Sequence, residues 1–415
     1  MSTTSQPTPA GAGAPFAPPR PASAPPADDR LLEAARALAP LLREHADAAE
    51  RERRLARPAV EALTAAGFQR MLAPTALGGH EVDPVTCARV AEELASADSA
   101  AAWALQAGNC GAWMASRMAP EGVDEIYGAG PDVIMAASFQ ALQRAVPVPG
   151  GYRFSGRGAL ASTVHEASGM MMSAMVMDGD RPRMTDAGPE IVAVAMPIRD
   201  VEIVDTWQSL GMRGTDSNDV VATDVFVPAG RAFPLRPGAV PGPRFEGPLY
   251  RLPVFASVVV IIAPVALAIA RGAIDELRQL VPARTSMGSP RPLRDRAAVQ
   301  AAVAEAEATL RAARLLFYDT LASVWRHVRD GGTLTIEQRA DLQLAAAHAA
   351  QSGVRATDLM HRVAGTSGIY ARNRLERHFR DAHTVRHHGF LNETRLETAG
   401  QVYLGAQLEF PLLLL

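Results

Sequence analysis

The chain has 415 residues, of which 48% are hydrophobic and 20% are charged, and its formal net charge is −3. This composition is typical of a globular protein with a large core, and it excludes a fibrous or largely disordered chain. The small net charge and the lack of a basic stripe with interleaved aromatic residues argue against a nucleic-acid partner. Two cysteines, Cys87 and Cys110, are too few for a disulfide framework, which favours a cytoplasmic location.

The N-terminal third of the chain contains a polar tail followed by helical patterns. Residues 1–29 are rich in Ser, Thr, Pro and Ala and lack the basic start and apolar core of a signal peptide, so we predict a disordered tail. Residues 30–130 repeat apolar residues at helical spacing, with a break at Gly78 and Gly79 before a second helical run near Pro84. These residues are predicted to form an N-terminal helical domain.

The middle and C-terminal parts differ in their patterns. Residues 131–235 alternate short β-rich runs with turn dipeptides such as Pro149-Gly150, and we predict a compact antiparallel β domain. Residues 236–250 form a Pro/Gly-rich linker, and residues 251–415 return to Ala-rich helical spacing, which predicts a four-helix bundle. The order of helices, strands and helices indicates an α+β fold with the sheet as its middle module.

One stretch has the length of a membrane span. Residues 252–270 (LPVFASVVVIIAPVALAIA) are continuously apolar, and this length reaches the range of spanning helices. However, Pro264 interrupts the stretch, small and β-branched residues dominate it, and it stands alone in the chain. We therefore predict a buried core helix and no membrane partner.

Three histidines lie close together near the C-terminus. His383 and His387 are four residues apart, which could present two metal ligands on one helix face, but no third ligand stands at supporting spacing. We therefore predict no metal site. A charged surface helix is one interpretation of this segment. The other is general acid–base chemistry, because His383, His387 and His388 carry imidazoles with pKa values near neutral.

Three short polar stretches have both structural and functional interpretations. They are residues 161–165 (ASTVH), 211–217 (GMRGTDS) and 365–368 (GTSG). Small hydroxyl side chains often cap helices or bond to nearby backbone groups. The same groups could face a ligand, and the free amides at a helix start could bind an anion. No glycine-rich nucleotide fingerprint is present, which argues against a Rossmann fold.

Several of these stretches, in this order, resemble the acyl-CoA dehydrogenase superfamily. Residues 207–217 (WQSLGMRGTDS), with Asp219 and residues 225–228 (VFVP), resemble its middle-domain signature, and residues 74–84 (PTALGGHEVDP) resemble the end of its N-terminal helical domain. The resemblance extends from residue 30 to about residue 412. It implies an N-terminal helical domain, a middle β domain, a C-terminal four-helix bundle and a homotetramer.

The C-terminal part resembles one branch of that superfamily. Many of its dehydrogenases follow an Arg-Asp-Ala stretch with Tyr-Glu-Gly-Thr, whose Glu removes the substrate α-proton. Here residues 380–382 (RDA) are followed by residues 385–389 (VRHHG), without a carboxylate. Residues 365–370, 375–384 and 397–405 instead are similar to two-component flavin-dependent monooxygenases.

That resemblance implies a reaction and its partners. The enzyme would take reduced flavin, FMNH2 or FADH2, from a separate reductase and use O2 as its second substrate. Through a C4a-hydroperoxyflavin it would hydroxylate or oxidise a small organic substrate, which could be an aromatic compound, an amine or a natural-product intermediate.

The resemblance also implies roles for individual residues. His388 stands at the position of the catalytic histidine of these monooxygenases, and Ser162 matches the hydroxyl that faces flavin N5. Arg284 and the turn at residues 365–367 would reach the flavin from a neighbouring subunit. The implied cofactor-binding residues are Ser162, Thr163, Arg213, Ser217, Arg284, Gly365, Thr366 and Ser367.

One feature departs from the pattern. Many of these monooxygenases carry a further active-site histidine before a Trp in an N-terminal helix, whereas residues 108–113 read GNCGAW. Either Asn109 replaces it as a hydrogen-bond donor, or the substrate does not need two imidazoles. By position, we expect the substrate pocket to include Asn109, Trp113 and Phe139, with Trp103 and Phe390 as further candidates.

Two other functions are compatible with the sequence. An acyl-CoA dehydrogenase with bound FAD would oxidise an acyl thioester and would need a base elsewhere, such as Glu246. A non-enzymatic helical interaction protein would keep the fold without binding flavin.

Overall fold

We analysed a computed structural model of the chain, which describes residues 28–186, 188–285 and 291–414. The predicted disordered tail lies outside the described residues except for its last two. Asp28 and Asp29 belong instead to the start of the first helix, because the Asp28 side chain accepts a hydrogen bond from the backbone N–H of Arg30 and caps it.

The N-terminal part is helical, as predicted. The run expected near Pro84 begins there because Pro84 occupies the first helical position and the Asp83 side chain accepts hydrogen bonds from two backbone N–H groups. Gly79 is required before it, since a Cβ at Gly79 would lie 2.1 Å from the Ala73 carbonyl oxygen. The helices are α1 (Asp29–Glu52), α2 (Arg57–Ala65), α3 (Pro84–Ala97), α4 (Ser99–Ala115) and α5 (Pro120–Tyr127).

The middle part forms a twisted sheet with short additional strands. Its strands are β1 (Met135–Val148), β2 (Gly151–Ala161), β3 (Gly169–Asp178), β4 (Arg181–Pro182), β5 (Met184–Thr185), β6 (Gly188–Pro189), β7 (Ile191–Pro197), β8 (Glu202–Val204), β9 (Asn218–Pro228) and β10 (Ala232–Pro234). In the described residues, the main sheet has the order β10-β7-β3-β1-β2-β9-β8, with β4 beside β3, and β5 pairs with β6.

The sheet is mixed, so the prediction of a purely antiparallel domain needs correction. β1 and β2 form an antiparallel hairpin, but β3 pairs in parallel with β1, with Met135 opposite Gly169 and Ala145 opposite Val176. The reason is the connection after β2, which passes to the far edge of β1 instead of turning back beside β2. The β-rich runs of the sequence do not reveal that crossover, because the crossover depends on which strands pair in the folded protein.

The C-terminal part is a helical bundle. Among the described residues, the segment Val258–Leu280 is long and apolar enough to cross a membrane, but 78% of its apolar window is buried inside the protein. The prediction of a buried core helix is thus confirmed, and Pro264 lies within it. The helices are α6 (Val254–Leu280), α7 (Ala297–Arg329), α8 (Ile336–Ala364), α9 (Arg374–Val385) and α10 (Thr394–Tyr403).

The core places one site between the three parts. α6 packs against α3 and α4 of the N-terminal part and against α7, α8 and α9 of the bundle, while α4 also contacts β1. Helix α4 therefore lies between α6 and the central strand β1 of the sheet.

Candidate active site

A cavity of about 470 Å³ lies where α4, β1, β2, α6 and the end of α9 meet. Its walls are mainly aliphatic and aromatic, with side chains from all three parts of the chain. The aromatic members are Trp103, Phe139, Trp207 and Phe390, and the hydroxyl members are Ser138, Ser162, Thr215, Ser217 and Thr384.

A row of buried hydroxyl groups forms one part of the wall. Ser162 Oγ lies 2.8 Å from Ser217 Oγ, and Ser217 Oγ lies 2.7 Å from Thr215 Oγ1. The indole N–H of Trp103 donates to Ser162 Oγ over 3.2 Å. Two of the residues expected to contact flavin, Ser162 and Ser217, therefore meet although 55 residues separate them in the chain.

The backbone that carries these hydroxyls adopts unusual conformations. Leu160, Thr163, Met212 and Asp216 all have φ between 53° and 58°, the left-handed region that non-glycine residues rarely occupy. The backbone N–H of Thr163 donates to the carbonyl oxygen of Thr215 over 2.8 Å and joins the two segments. Strained residues of this kind often cluster at functional sites, and here they flank the hydroxyl row.

The Trp103 ring contacts both the hydroxyl row and His388. The half-buried ring of His388 lines the cavity and lies edge-on to the Trp103 ring, with centroids 5.2 Å apart. Burial lowers the pKa of His388 to about 4, because the charged imidazolium loses hydration. Nδ1 accepts a long hydrogen bond of 3.3 Å from the backbone N–H of Phe390, which favours the neutral tautomer protonated at Nε2.

The two neighbouring histidines have different surroundings. His387 is exposed and lines the cavity beside His388. His383 is not one of the cavity residues. Its Nε2 lies 2.8 Å from Asp358 Oδ1, and its ring packs on Phe379. Of the histidines singled out in the sequence, the structure thus brings His387 and His388 to the cavity.

Helix α9 holds the loop that carries Thr215 and Ser217. Arg380 donates to the carbonyl oxygen of Leu210 over 2.8 Å, and Asp381 Oδ1 accepts from the backbone N–H of Met212 over 2.6 Å. Gly211 permits this approach, since a Cβ there would lie 2.4 Å from the Arg380 backbone.

The same carboxylate also reaches the N-terminal part. Asp381 Oδ2 accepts from Ser99 Oγ over 2.6 Å at the start of α4. Asp381 is buried, and burial raises its pKa. The sequence contains the Arg-Asp-Ala motif but does not reveal this link, which depends on the packing of α9 against α4.

Several residues expected to bind the cofactor lie away from the cavity of this chain. The Arg213 side chain donates to the carbonyl oxygens of Glu50 and Ser209, each over 3.1 Å. Thr163 is buried but is not a cavity residue, and Arg284 is exposed beyond the end of α6. The turn of Gly365, Thr366 and Ser367 follows α8, with Gly365 and Thr366 exposed and Ser367 half-buried.

The expected substrate residues are only partly at the cavity. Phe139 lines it, but Asn109 is buried against the N-terminal helices, where it donates to the carbonyl oxygens of Phe68 and Leu105. Trp113 is fully buried and is also outside the lining. The cause is helical periodicity, because Asn109 and Trp113 do not share the face of α4 that contacts the cavity.

A different face of α4 lines the cavity. Its members are Trp103, Ala107 and Cys110, which follow the spacing of one helix face. Burial raises the pKa of the Cys110 thiol to about 12, so the thiol stays protonated and acts as a small apolar wall group. The spacing from Trp103 would have identified this face from the sequence.

The cavity offers no carboxylate as a base. Among the described residues, none of its lining side chains is Asp or Glu. Glu246, the base considered for a dehydrogenase, is exposed and lies outside the lining. Removal of a substrate α-proton by a cavity carboxylate therefore has no support in this geometry.

The residues present fit a flavin. Aromatic and aliphatic walls suit a planar ring system, and the Ser162, Ser217 and Thr215 hydroxyls supply hydrogen bonds for a polar ring edge. Trp207 is held beside them, because its indole N–H donates to the carbonyl oxygens of Met212 and Arg213.

Comparisons with known proteins agree with this fit. The sequence matches the family models described as acyl-CoA dehydrogenase, N-terminal domain, over residues 27–127, and acyl-CoA dehydrogenase, C-terminal domain, over residues 260–393. An indole-3-acetate monooxygenase of Pseudomonas putida is 32% identical over 358 residues, which cover 86% of this chain and 89% of that protein.

Two further relatives extend the comparison. The oxygenase component of an FADH(2)-dependent resorcinol hydroxylase from a Rhizobium strain is 27% identical, over 91% of this chain and 95% of that protein. The crystal structure of 3-HSA hydroxylase from Rhodococcus sp. RHA1 superposes with a TM-score of 0.84 at 25% identity, over 92% of this chain and 99% of that one.

The chain belongs to the acyl-CoA dehydrogenase family, in its branch of two-component flavin-dependent monooxygenases. It is accordingly an oxidoreductase that uses reduced flavin and O2 to oxidise a small organic substrate.

Proposed function

We propose that this monooxygenase oxidises a small aromatic compound and receives reduced FMN or FAD from a separate reductase. The observation that carries this proposal is a cavity with four aromatic side chains, a row of hydroxyls and His388, but no carboxylate among the described lining residues. Relatives named for indole-3-acetate and resorcinol oxidation support the substrate class, and the name "oxygenase component" of the second supports the reductase.

The overall reaction balances without another reagent. One atom of O2 converts a substrate C–H into C–OH, and the other leaves as water. A reduced flavin, when bound, would supply the two electrons and, with solvent, the two protons for that water.

The chain contributes binding, orientation and exclusion of water. Ser162 and Ser217 would hold the polar edge of the flavin ring system, and the indole N–H of Trp103 orients the Ser162 hydroxyl. The apolar walls keep water from the reacting atoms, which suppresses the loss of oxygen as hydrogen peroxide.

His388 acts as a neutral hydrogen-bonding group. With its pKa lowered to about 4 by burial, the imidazole is uncharged at neutral pH. Because Nδ1 accepts from Phe390 N–H, the ring proton resides on Nε2, and this N–H can donate a hydrogen bond to an oxygen atom in the cavity. A positioned hydrogen-bond donor to an oxygen that gains negative charge contributes roughly 10²–10³ in rate.

We further propose that the flavin site is completed by a neighbouring subunit of a homotetramer. Arg284, Gly365, Thr366 and Ser367 lie away from the cavity of their own chain, and three of them are exposed. In that position, Arg284 would neutralise the flavin phosphate of the neighbouring chain. An Arg284→Ala variant should bind reduced flavin about tenfold more weakly, because it loses about 1.4 kcal/mol of charge-assisted hydrogen bonding. Its mass in light scattering should remain that of a tetramer.

The experiment that tests the function is a coupled turnover assay. Chemically reduced FMN or FAD is mixed with the protein, O2 and an aromatic compound such as indole, and the product and hydrogen peroxide are measured. We expect oxygenated product to account for most of the flavin consumed. Bleaching of bound FAD by an acyl-CoA without O2 would instead establish a dehydrogenase, and no flavin binding in either redox state would establish a protein that has lost its cofactor.

A further inference from the structure

The cavity carries no formally charged side chain. Among the described residues, its lining includes no Asp, Glu, Lys or Arg. The positions between residues 28 and 414 that lie outside the description are uncharged in the sequence as well, including residues 286–290 (SMGSP). The polar side-chain groups of this lining are therefore hydroxyls, the imidazoles of His387 and His388, and the indole N–H groups of Trp103 and Trp207, which already donate to protein oxygens.

The arginines near the cavity walls are already engaged elsewhere. Arg53 lies 2.6 Å from Asp205, and its guanidinium also donates to the carbonyl oxygen of Trp207, behind the indole that lines the cavity. Arg380 pairs with Glu50 and Glu376.

Two further arginines follow the same pattern. Arg213 donates to two carbonyl oxygens and lies 3.7 Å from Glu50, and Arg386 lies 3.7 Å from Glu393. Each of these four arginines thus has a carboxylate within 3.7 Å, and the described lining residues of the cavity carry no formal charge.

An anionic substrate would meet an unfavourable environment in this cavity. A carboxylate that leaves water needs a counter-charge or several strong donors, and without them its burial is costly. The aromatic and aliphatic walls supply neither. The hydroxyls Ser162, Ser217 and Thr215 bond to one another in a row, which leaves few donors for a second group. A neutral ring loses little on entering the same space and gains the burial of its apolar surface.

We propose that the site selects uncharged aromatic substrates and discriminates against aryl carboxylates. This inference rests on the proposed function, and it separates this chain from its Pseudomonas putida relative, whose name gives an anionic substrate. At 32% identity the two chains can share the reaction and differ in the charge of the ring substituent.

A matched pair of ligands tests the inference. Indole-3-acetamide and indole-3-acetate have nearly the same shape, and at pH 8 the acetate is anionic whereas the amide is neutral. Equilibrium dialysis of each compound against flavin-loaded full-length protein gives two dissociation constants without any need for turnover. We expect the amide to bind at least tenfold more tightly. An acetate that binds as tightly as the amide would overturn the inference, as would binding of neither compound below about 1 mM.

A charge introduced at the cavity mouth provides a second test. Leu160 lines the cavity and is 60% exposed, so a longer side chain has room there. In Leu160→Arg, we expect the preference to shift at least tenfold toward the acetate. Leu160→Gln, the uncharged control, should keep the preference for the amide. Equal ratios in the two variants would contradict the proposal.

Turnover separates this inference from the function on which it rests. If the amide binds more tightly and is oxygenated, both stand. If it binds more tightly but all reduced flavin ends as hydrogen peroxide with every compound, the preference for neutral ligands stands and the monooxygenase assignment fails. If the acetate is bound more tightly and oxygenated, the enzyme class stands and the inference fails.

Discussion

The carboxylate of Asp381 accepts a hydrogen bond from the backbone N–H of Met212 over 2.6 Å. Through this bond, the helix that leads into His388 also positions the loop with Thr215 and Ser217. The two chemically active parts of the cavity therefore depend on one element, α9, and a change at Asp381 should affect both.

Asp381→Ala should weaken flavin binding without direct contact to the flavin. The substitution leaves the buried Met212 N–H without an acceptor, which costs about 1–3 kcal/mol. We expect a dissociation constant for reduced flavin about tenfold higher and a larger fraction of hydrogen peroxide. Asp381→Asn keeps an acceptor for Met212 N–H, so most of the flavin consumed should again yield product instead of hydrogen peroxide. Ser99→Ala, which removes the other bond of Asp381, serves as the control and should have a smaller effect on coupling.

A result would speak against this role if Asp381→Ala lowered the melting temperature but left the flavin dissociation constant and the peroxide fraction unchanged. Asp381 would then contribute to stability alone.

Trp103→Phe should uncouple the reaction. The ring beside His388 is retained, but Ser162 loses the indole N–H that orients its hydroxyl. We expect hydrogen peroxide per flavin consumed to rise severalfold, with about 1 kcal/mol of hydrogen bonding lost. Trp113→Phe is a matched control on the same helix, because Trp113 Nε1 has no hydrogen-bond partner among the described residues. Equal peroxide release from the two variants would argue against an orienting role for Trp103.

The sequence predicts the elements better than their contacts. α3 starts at Pro84, near which the sequence predicts a helical run, and the apolar stretch around Pro264 is the predicted buried helix, because helix starts and apolar runs are local signals. The parallel pairing of β1 with β3 depends on a crossover that no local pattern encodes.

At the candidate site, too, the sequence predicts individual residues better than the contacts between them. Ser162, Ser217 and His388 are recognisable by motif, and all three line the cavity. Asn109 is predicted as a pocket residue from its position beside a motif, but the face of α4 that lines the cavity carries Cys110 instead. Asp381 acts on Met212 across 169 residues, so its role appears only after the domains are packed together.

His388→Gln should reduce product formation far more than flavin binding. Gln brings an amide near the position of Nε2, but it has no acceptor at the position of Nδ1, so the Phe390 N–H no longer holds an N–H group toward the cavity. We expect kcat/KM for the product to fall by about 10²-fold, within the range for loss of a positioned hydrogen-bond donor. His387→Gln at the exposed rim should change it by less than a factor of about 5. Unchanged product formation in His388→Gln, measured by chromatography, would remove His388 from the mechanism.

Stability should fall in acid because of buried His378. Its pKa is lowered to about 3 by burial and by the nearby charges of Arg374 and Arg377. An unfolded histidine has a pKa of about 6.5, so between these values the unfolded state binds more protons and the free energy of unfolding decreases as the pH falls. Asp98, with a pKa raised to about 6 by burial, opposes this between about pH 4 and 6.

Removal of that histidine isolates its contribution. We compare the pH dependence of the free energy of unfolding, measured by urea titration, in His378→Asn and in the unsubstituted protein. Between pH 6 and 4, the decrease per pH unit should be smaller in His378→Asn by up to about 1.4 kcal/mol. Identical slopes in the two proteins would show that His378 takes up its proton in the folded state.

The origin of the oxygen atom in the product tests the central claim most directly. The protein is loaded with reduced flavin without oxygen, mixed with ¹⁸O₂ and a neutral aromatic compound such as indole, and the product is analysed by mass spectrometry. A monooxygenase predicts one ¹⁸O atom per product molecule. Product oxygen derived from water, or oxidation of an acyl-CoA with no requirement for O2, would contradict it.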